Sequence, residues 1–244
     1  MPVSPTVAVI ILNWRRPQNI GRIVRAAADA LPEARIFVLD QAEAPNSLEG
    51  RHDVPWHLIW RQPRPNGGPG ARIELAAALP FDHYLCIDDD VFLTAAQIKM
   101  LMFMQSKEPG RAHGVWGQVV FSDAEGKYQL LDGIIRRNAD VSFLNQVYAF
   151  TKVQAQEAMV LASLAGFESW VDVRFGDDLL LSCSGEAAPR IHDLGPLEQC
   201  PTANEPGIAQ WKQAGFREQR LELAAKMLSL GRLHVEARRP AHLI

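Results

Sequence analysis

Apolar and polar positions alternate between two rhythms through the first hundred residues. VAVIILNW, from Val7, is a short β-branched run with little polar interruption, the pattern of a strand buried on both faces. PQNIGRIVRAAADAL follows, with Ile20, Ile23, Val24 and Ala27 at helical spacing. ARIFVLD from Ala34 and WHLIWRQ from Trp56 read as further strands. GPGARIELAAAL reads as a helix with Ile73, Leu75, Ala76 and Leu79 apolar, and HYLCIDDD as the next strand. Strands alternating with helices predict an α/β fold around a mainly parallel sheet.

The second half is less regular. GVWGQVVF from Gly114 and KYQLLDGI from Lys127 predict strands joined through the turn-like SDAEG. VYAFTK reads as a strand and VQAQEAMVLASLAGF as a helix. FGDDLLLSCS opens another helix with two acids in its first turn, where the helix dipole favours negative charge. GIAQWKQAGFREQRLELAAKMLSLGRL predicts a long amphipathic helical region broken near Gly215. Neither a repeat nor a clear linker interrupts the chain, so one domain is expected over residues 1–244.

Composition narrows the function classes. With 244 residues, 48% hydrophobic and 22% charged, the chain has the make-up of an ordinary globular protein. A net charge of −3 argues against a bulk electrostatic grip on nucleic acid. Cys86, Cys183 and Cys200 are odd in number and far apart, which fits neither a zinc cage nor a disulfide framework. The start of the chain lacks the basic flank of a signal peptide, and no apolar run reaches the roughly 18 residues of a membrane span. A cytoplasmic location is therefore expected, with peripheral membrane contact through the C-terminal helix left open.

The candidate chemistry sits at strand ends. Ligands of parallel α/β sheets bind outside the carboxyl ends of the strands. Asn13 to Arg15, Asp40 and the run Asp88, Asp89, Asp90 all fall there. Three successive carboxylates repel one another unless a cation or hydrogen-bond donors compensate. Side chains at i and i+2 share a side, so Asp88 and Asp90 should face one way and Asp89 the other. Mn²⁺ or Mg²⁺ takes oxygen ligands and is often held by one or two carboxylates, with substrate phosphates completing its shell. NGGPGARI lacks the Gly-Lys-Ser/Thr of a P-loop, and no strand is followed by GxGxxG. Phe92 stands where an aspartyl phosphatase would carry Thr or Val.

Four segments carry a family resemblance. VAVIILNWRRPQNI resembles the first strand and turn of family 2 glycosyltransferases, FVLDQ their second strand, and NGGPGARIELAAAL…YLCIDDDVFL their Gly-rich helix and DxD strand. AGFESWVDVRFGDDLLLS resembles their Gly-Phe-Asp-Glu…Gly-Glu-Asp segment. The likeness spans about residues 6–185, with departures at Asp-Gln after the second strand, at ARIE and at GDD. It implies a GT-A fold and a metal-dependent glycosyltransferase, a hexosyl- or hexosaminyltransferase with a UDP-sugar favoured as donor. The acceptor would be a saccharide, a lipid-linked or a small molecule. On this reading residues 6–110 form a nucleotide-binding half, 111–204 an acceptor and catalytic half, and 205–244 a helical extension. The resemblance makes Asp178 the catalytic base and Asn13, Arg15, Asp40, Asn66, Arg72, Asp88 and Asp89 donor-binding. Asp90, Asp88 and His192 become the ligands of Mn²⁺ or Mg²⁺. The triple Asp also resembles exostosin-type transferases, which retain anomeric configuration. The competing readings are a metal-dependent phosphohydrolase or nucleotidyltransferase and a nucleotide-sugar-binding module without turnover.

Overall fold

Residues 5–42, 48, 58–61, 68–205, 207–233 and 240 are described by the structure, a computed structural model. The first half contains β1 (Val7–Asn13), α1 (Pro17–Ala30), β2 (Arg35–Asp40), β3 (Leu58–Arg61), α2 (Ala71–Ala78), β4 (His83–Ile87), β5 (Val91–Phe92) and α3 (Ala95–Lys107). Next come β6 (His113–Gly114), β7 (Trp116–Ser122), β8 (Tyr128–Ile135), β9 (Ala139–Asp140), β10 (Phe143–Leu144), β11 (Val147–Thr151) and α4 (Lys152–Leu164). The chain continues through α5 (Asp177–Ser182), β12 (Arg190–Ile191), β13 (Glu198–Gln199) and α6 (Phe216–Ser229). Asn66 and the flanks of the WHLIWRQ strand lie outside the described residues.

Eight strands form the main sheet in the order β3-β2-β1-β4-β11-β6-β12-β9. The first four run parallel. β11 is antiparallel to both its neighbours, β12 is parallel to β6, and β9 closes the far edge antiparallel. The sheet is thus mixed and mainly parallel. A three-stranded sheet, β10-β7-β8, and the pair β13-β5 complete the strands.

Both faces of the main sheet are buried, which explains the nearly unbroken apolar runs. Alternate residues of each strand go to opposite faces. Ala8, Ile10, Phe37, Leu39, Tyr84, Cys86, Tyr148 and Phe150 share a core with apolar residues of α2, α4, α5 and α6. Val9, Ile11, Ile36, Val38, Leu85, Ile87, Val147 and Ala149 pack with those of α1 and α3 on the other side. Each large aliphatic side chain buried this way contributes about 1.5–3 kcal/mol. Local signals set the helix ends. Pro17 occupies the first turn of α1, where its missing N–H costs nothing. Thr94 with Gln97 and Thr151 with Gln154 form reciprocal capping boxes on α3 and α4. Gly215, at φ 80°, makes the break before α6 that the sequence predicts.

Strand register places the candidate residues. Ile11 pairs with Ile87, so β1 outruns β4 by two residues, and Asn13 pairs with Asp40 at the end of β2. Asn13, Asp40 and the acidic run after Ile87 therefore lie along one edge of the sheet. Arg72 reaches this edge from the first turn of α2. Gly70, the residue before that helix, has no room for a side chain: a Cβ would stand 2.5 Å from Trp170 Cε3 and 3.2 Å from the Trp170 carbonyl oxygen. Gly70 thus permits a close approach within the protein. Gly70→Ala should cost about 1–3 kcal/mol through overpacking, measured by urea denaturation. Unchanged stability would show that Trp170 yields freely.

Candidate active site

A cleft of about 420 Å³ opens at this sheet edge, within the range of small-molecule sites. Its walls come from the β1–α1 turn, the residues after β2 and β4, α2, β7, β8, the turn before β11, α5 and the C-terminal segment. Its described lining carries six carboxylates (Asp88, Asp89, Asp90, Asp132, Asp177, Asp178) and three arginines (Arg16, Arg72, Arg220).

Each arginine is already engaged. Arg72, buried, donates from Nη1 to Asp88 Oδ1, and its Nε donates to Asp177 Oδ2 at 3.0 Å. Tyr148 also donates its hydroxyl to Asp177 Oδ2, at 3.0 Å, and its ring lies 4.7 Å under the Arg72 guanidinium. Arg16 bonds Asp89 Oδ1 at 2.7 Å and approaches Asp90 Oδ2 at 3.5 Å. Its remaining donors reach the Thr202 hydroxyl and carbonyl, both at 3.0 Å. Arg220, from α6, bonds Asp178 Oδ1 at 2.7 Å, the Phe175 carbonyl at 2.9 Å and Gln118 Oε1 at 2.7 and 3.1 Å.

The acidic run divides as the period-two argument predicts. Asp89 turns back to the β1–α1 turn, accepting from the Trp14 amide at 2.9 Å and from the Arg15 amide at 3.4 Å as well as from Arg16. Its work here is to clamp that turn to the end of β4, a different use from the donor contact that the resemblance implies. Asp88 and Asp90 remain at the cleft. Gln146, at φ 60°, holds them in place: its carbonyl accepts from the Asp88 amide at 3.0 Å, and its side chain lies 3.4 Å from Asp90 Oδ1. A non-glycine residue in the left-handed region costs free energy and clusters at functional sites.

Burial of so many carboxylates is costly. Burial, reinforced by Asp177 and Asp89 and opposed by Arg72, pushes Asp88 up to about 6. Burial and then repulsion from Asp88, with Arg16 opposing, push Asp90 up to about 7. Asp178 is also raised, by burial first and by Asp177, against the pull of Arg220. The Asp178 Oδ1 is filled by Arg220 and the Leu179 amide, whereas Oδ2 meets only the Asn145 side-chain amide at 3.2 Å. Among the described residues no three His, Cys, Asp or Glu side chains form a closed metal cage. Asp88 and Asp90 offer an open, two-carboxylate site of the kind that hard cations share with a substrate.

Several sequence-derived assignments land elsewhere. His192 does not line the cleft. It stacks on His113, with its Nε2 2.8 Å from His113 Nδ1, and burial followed by that neighbour pushes it down to about 4. It follows directly on β12, which pairs with β6, and the structure does not bring it into the cleft lining with Asp88 and Asp90. Arg15 also lies off the cleft, donating to the Gly207 carbonyl at 2.7 Å and covering the Trp14 ring. Asp40 sits buried behind the wall, bonded by the Asn13 side-chain amide at 2.7 Å. Gln41 takes the lining position instead, anchored to the Gly68 carbonyl at 2.6 Å. Arg72, Asp88, Asp90 and Asp178 are brought together as expected. Arg16, Tyr148, Gln146 and Arg220 escaped the sequence reading as site residues; the second Arg of Trp-Arg-Arg-Pro and the Arg buried among α6 apolar residues were the available signals.

Fold and cleft together define a GT-A-type α/β protein with an acidic, ligand-sized site at the strand ends. No protein-family profile and no curated protein matches the sequence. Solved structures do. S. aureus TarS 1–349 matches with a TM-score of 0.54 at 11% identity, covering 79% of this chain and 59% of that one. The same fragment in complex with UDP gives the same figures, TM-score 0.54, 11%, 79% and 59%. A longer TarS structure gives 0.52, 11%, 79% and 36%. This chain spans less than two thirds of those it matches, and at such identity the likeness establishes a shared fold. No helix among the described residues is long and apolar enough to cross a membrane.

The raised carboxylates give a signed pH dependence. Between their ordinary value of 3.8 and about 7, the folded, metal-free protein holds protons that the unfolded chain releases. Their contribution to stability is fullest at low pH and is lost as pH rises through about 6 to 7. The Tm of metal-free protein should therefore carry a falling component across that window, much reduced in Asp90→Asn. Equal slopes in the two proteins would contradict the electrostatics described here.

Proposed function

We propose that the chain is a metal-dependent glycosyltransferase, moving a sugar from a nucleoside-diphosphate sugar to an acceptor hydroxyl. The observation that carries this is the unbalanced charge of the cleft. A diphosphate entering it would meet six carboxylates and three arginines that are already paired with protein carboxylates. Desolvating it there without a cation would be prohibitive. Asp88 and Asp90 fit that cation, since both line the cleft and burial with carboxylate repulsion displaces them upward despite Arg72 and Arg16. Mn²⁺ or Mg²⁺ bound by them would stabilise the charge that develops on a leaving diphosphate. The family resemblance and the UDP complex of TarS support a uridine nucleotide as the donor half.

The remaining chemistry falls to the chain's own residues. Arg72 and Asp177 fix Asp88, and Arg16 with Asp89 fixes the backbone that presents Asp90. Asp178, a lining residue of the cleft whose Oδ2 is bonded among the described residues by the Asn145 amide, takes the acceptor proton as general base. An acceptor oxygen lone pair forms the bond to the anomeric carbon. The bond from that carbon to the diphosphate breaks, with its electron pair leaving on the diphosphate oxygen. Arg220 holds the base in one orientation and, by its charge, restrains the rise in its pKa.

UDP should raise the Tm only when Mn²⁺ or Mg²⁺ is present, and Asp90→Asn should abolish that shift. Metal-independent binding, or no response to any nucleoside diphosphate, would defeat the proposal. Asp178→Asn should keep the metal-dependent UDP shift while lowering sugar transfer by at least about a hundredfold, followed as release of UDP from UDP-sugars. Release of inorganic phosphate instead of UDP would point to a phosphohydrolase.

A further inference from the structure

The rest of the cleft lining has a different character from the acidic run. Trp116 from β7, Phe175, and Trp211 and Phe216 from the C-terminal segment belong to it, with Asp132 from β8 and the amide side chains of Asn204 and Gln210. Trp211 is 52% exposed. A large aromatic left half-exposed at the mouth of a ligand-sized cleft is informative, because burying that ring would otherwise stabilise the fold. Lys212, outside the lining, covers one face of the Trp211 indole with its ammonium 5.0 Å from the ring centroid and spends a proton on the Asn204 carbonyl.

Charge excludes as firmly as the aromatics invite. Among the described lining residues from β7, β8, Phe175 and the C-terminal segment, Arg220 is the one cation, and its donors go to Asp178, Gln118 and the Phe175 carbonyl. A phosphate or carboxylate here would lose water, face Asp132 and Asp178, and find no free counter-ion in the described lining, leaving only the exposed Lys212 outside it. A pyranose without charge has the opposite profile. Its C–H face is an apolar plate matched to an indole, and its hydroxyl rim can bond amides and carboxylates.

We infer that Trp211 and Trp116 form a stacking subsite for an uncharged saccharide acceptor, and that the cleft rejects anionic acceptors. This rests on the transferase reading above and names the acceptor class for the same site. Trp211 supplies the outer platform and Trp116 the inner one. Asp132, Asn204 and Gln210 bond the sugar rim while one hydroxyl meets Asp178.

The test uses the full chain saturated with UDP and Mn²⁺. Tryptophan fluorescence is followed during titration with neutral methyl glycosides of glucose, galactose, mannose and N-acetylglucosamine, and with cellobiose and maltose. Glucose 6-phosphate, glucuronate and glycerol phosphate form the anionic set. At least one neutral sugar should quench fluorescence saturably, and its anionic counterparts should bind about tenfold more weakly or worse. Trp211→Ala should weaken the neutral ligand by about tenfold, whereas Trp211→Tyr, which keeps a ring, should stay within about threefold. Both variants should retain the metal-dependent UDP thermal shift, showing that they fold and that the donor half is intact. Anionic sugars binding as well as neutral ones, no neutral sugar binding, or an unaffected Trp211→Ala would each overturn the inference. Loss of the UDP shift in the wild-type protein would instead strike the transferase reading on which it rests.

Discussion

Everything at the sheet edge depends on an excess of buried negative charge. Five aspartates, from the end of β4 and the start of α5, are held close together by three arginines. Three cations cannot balance five anions in a place that water reaches poorly, and the cost shows in the upward displacement of Asp88, Asp90 and Asp178. A fold under selection for stability alone would have no use for such an arrangement, since buried ion pairs are often matched or bettered by apolar packing. The excess is sensible if a cation and its anionic ligand arrive together.

The arginines also explain how distant stretches of chain become one site. Arg16 joins the β1–α1 turn to Asp89 and Thr202, Arg72 joins β4 to α5 through Asp88 and Asp177, and Arg220 joins α6 to α5 through Asp178. Each bridge satisfies several donors of a planar guanidinium, a geometry that lysine could not reproduce. The C-terminal segment is thereby a wall of the cleft, contributing Ala203, Asn204, Ile208 to Trp211, Phe216 and Arg220 to the lining. It adds Trp211 and Phe216 to the aromatic lining.

Much of this was readable in the residues. The β-branched runs gave the parallel strands because burial on both faces leaves no room for polar positions, and the acidic run marked the sheet edge because repulsion demands a reason. The break before α6 was legible at Gly215. What escaped was long-range: the pairing of Arg220 with Asp178 spans 42 residues and that of Arg16 with Thr202 spans 186. No local rhythm encodes such contacts. The stacking of His192 on His113 is another such contact, because position in the chain says nothing of the short strand β12 that ends beside it. Asp40 and Gln41 show a finer limit, for a shift of one residue at a strand end decides which side chain meets the cleft.

The central claim is that Asp88 and Asp90 hold one divalent cation jointly with a diphosphate. Electron paramagnetic resonance of Mn²⁺ reads this directly, since the sharp signal of the free aquo ion disappears on binding. Titration of the protein in the presence of UDP should remove one Mn²⁺ per chain, with far weaker uptake when UDP is omitted. An undiminished free-ion signal at saturating protein, with UDP present, would contradict the account.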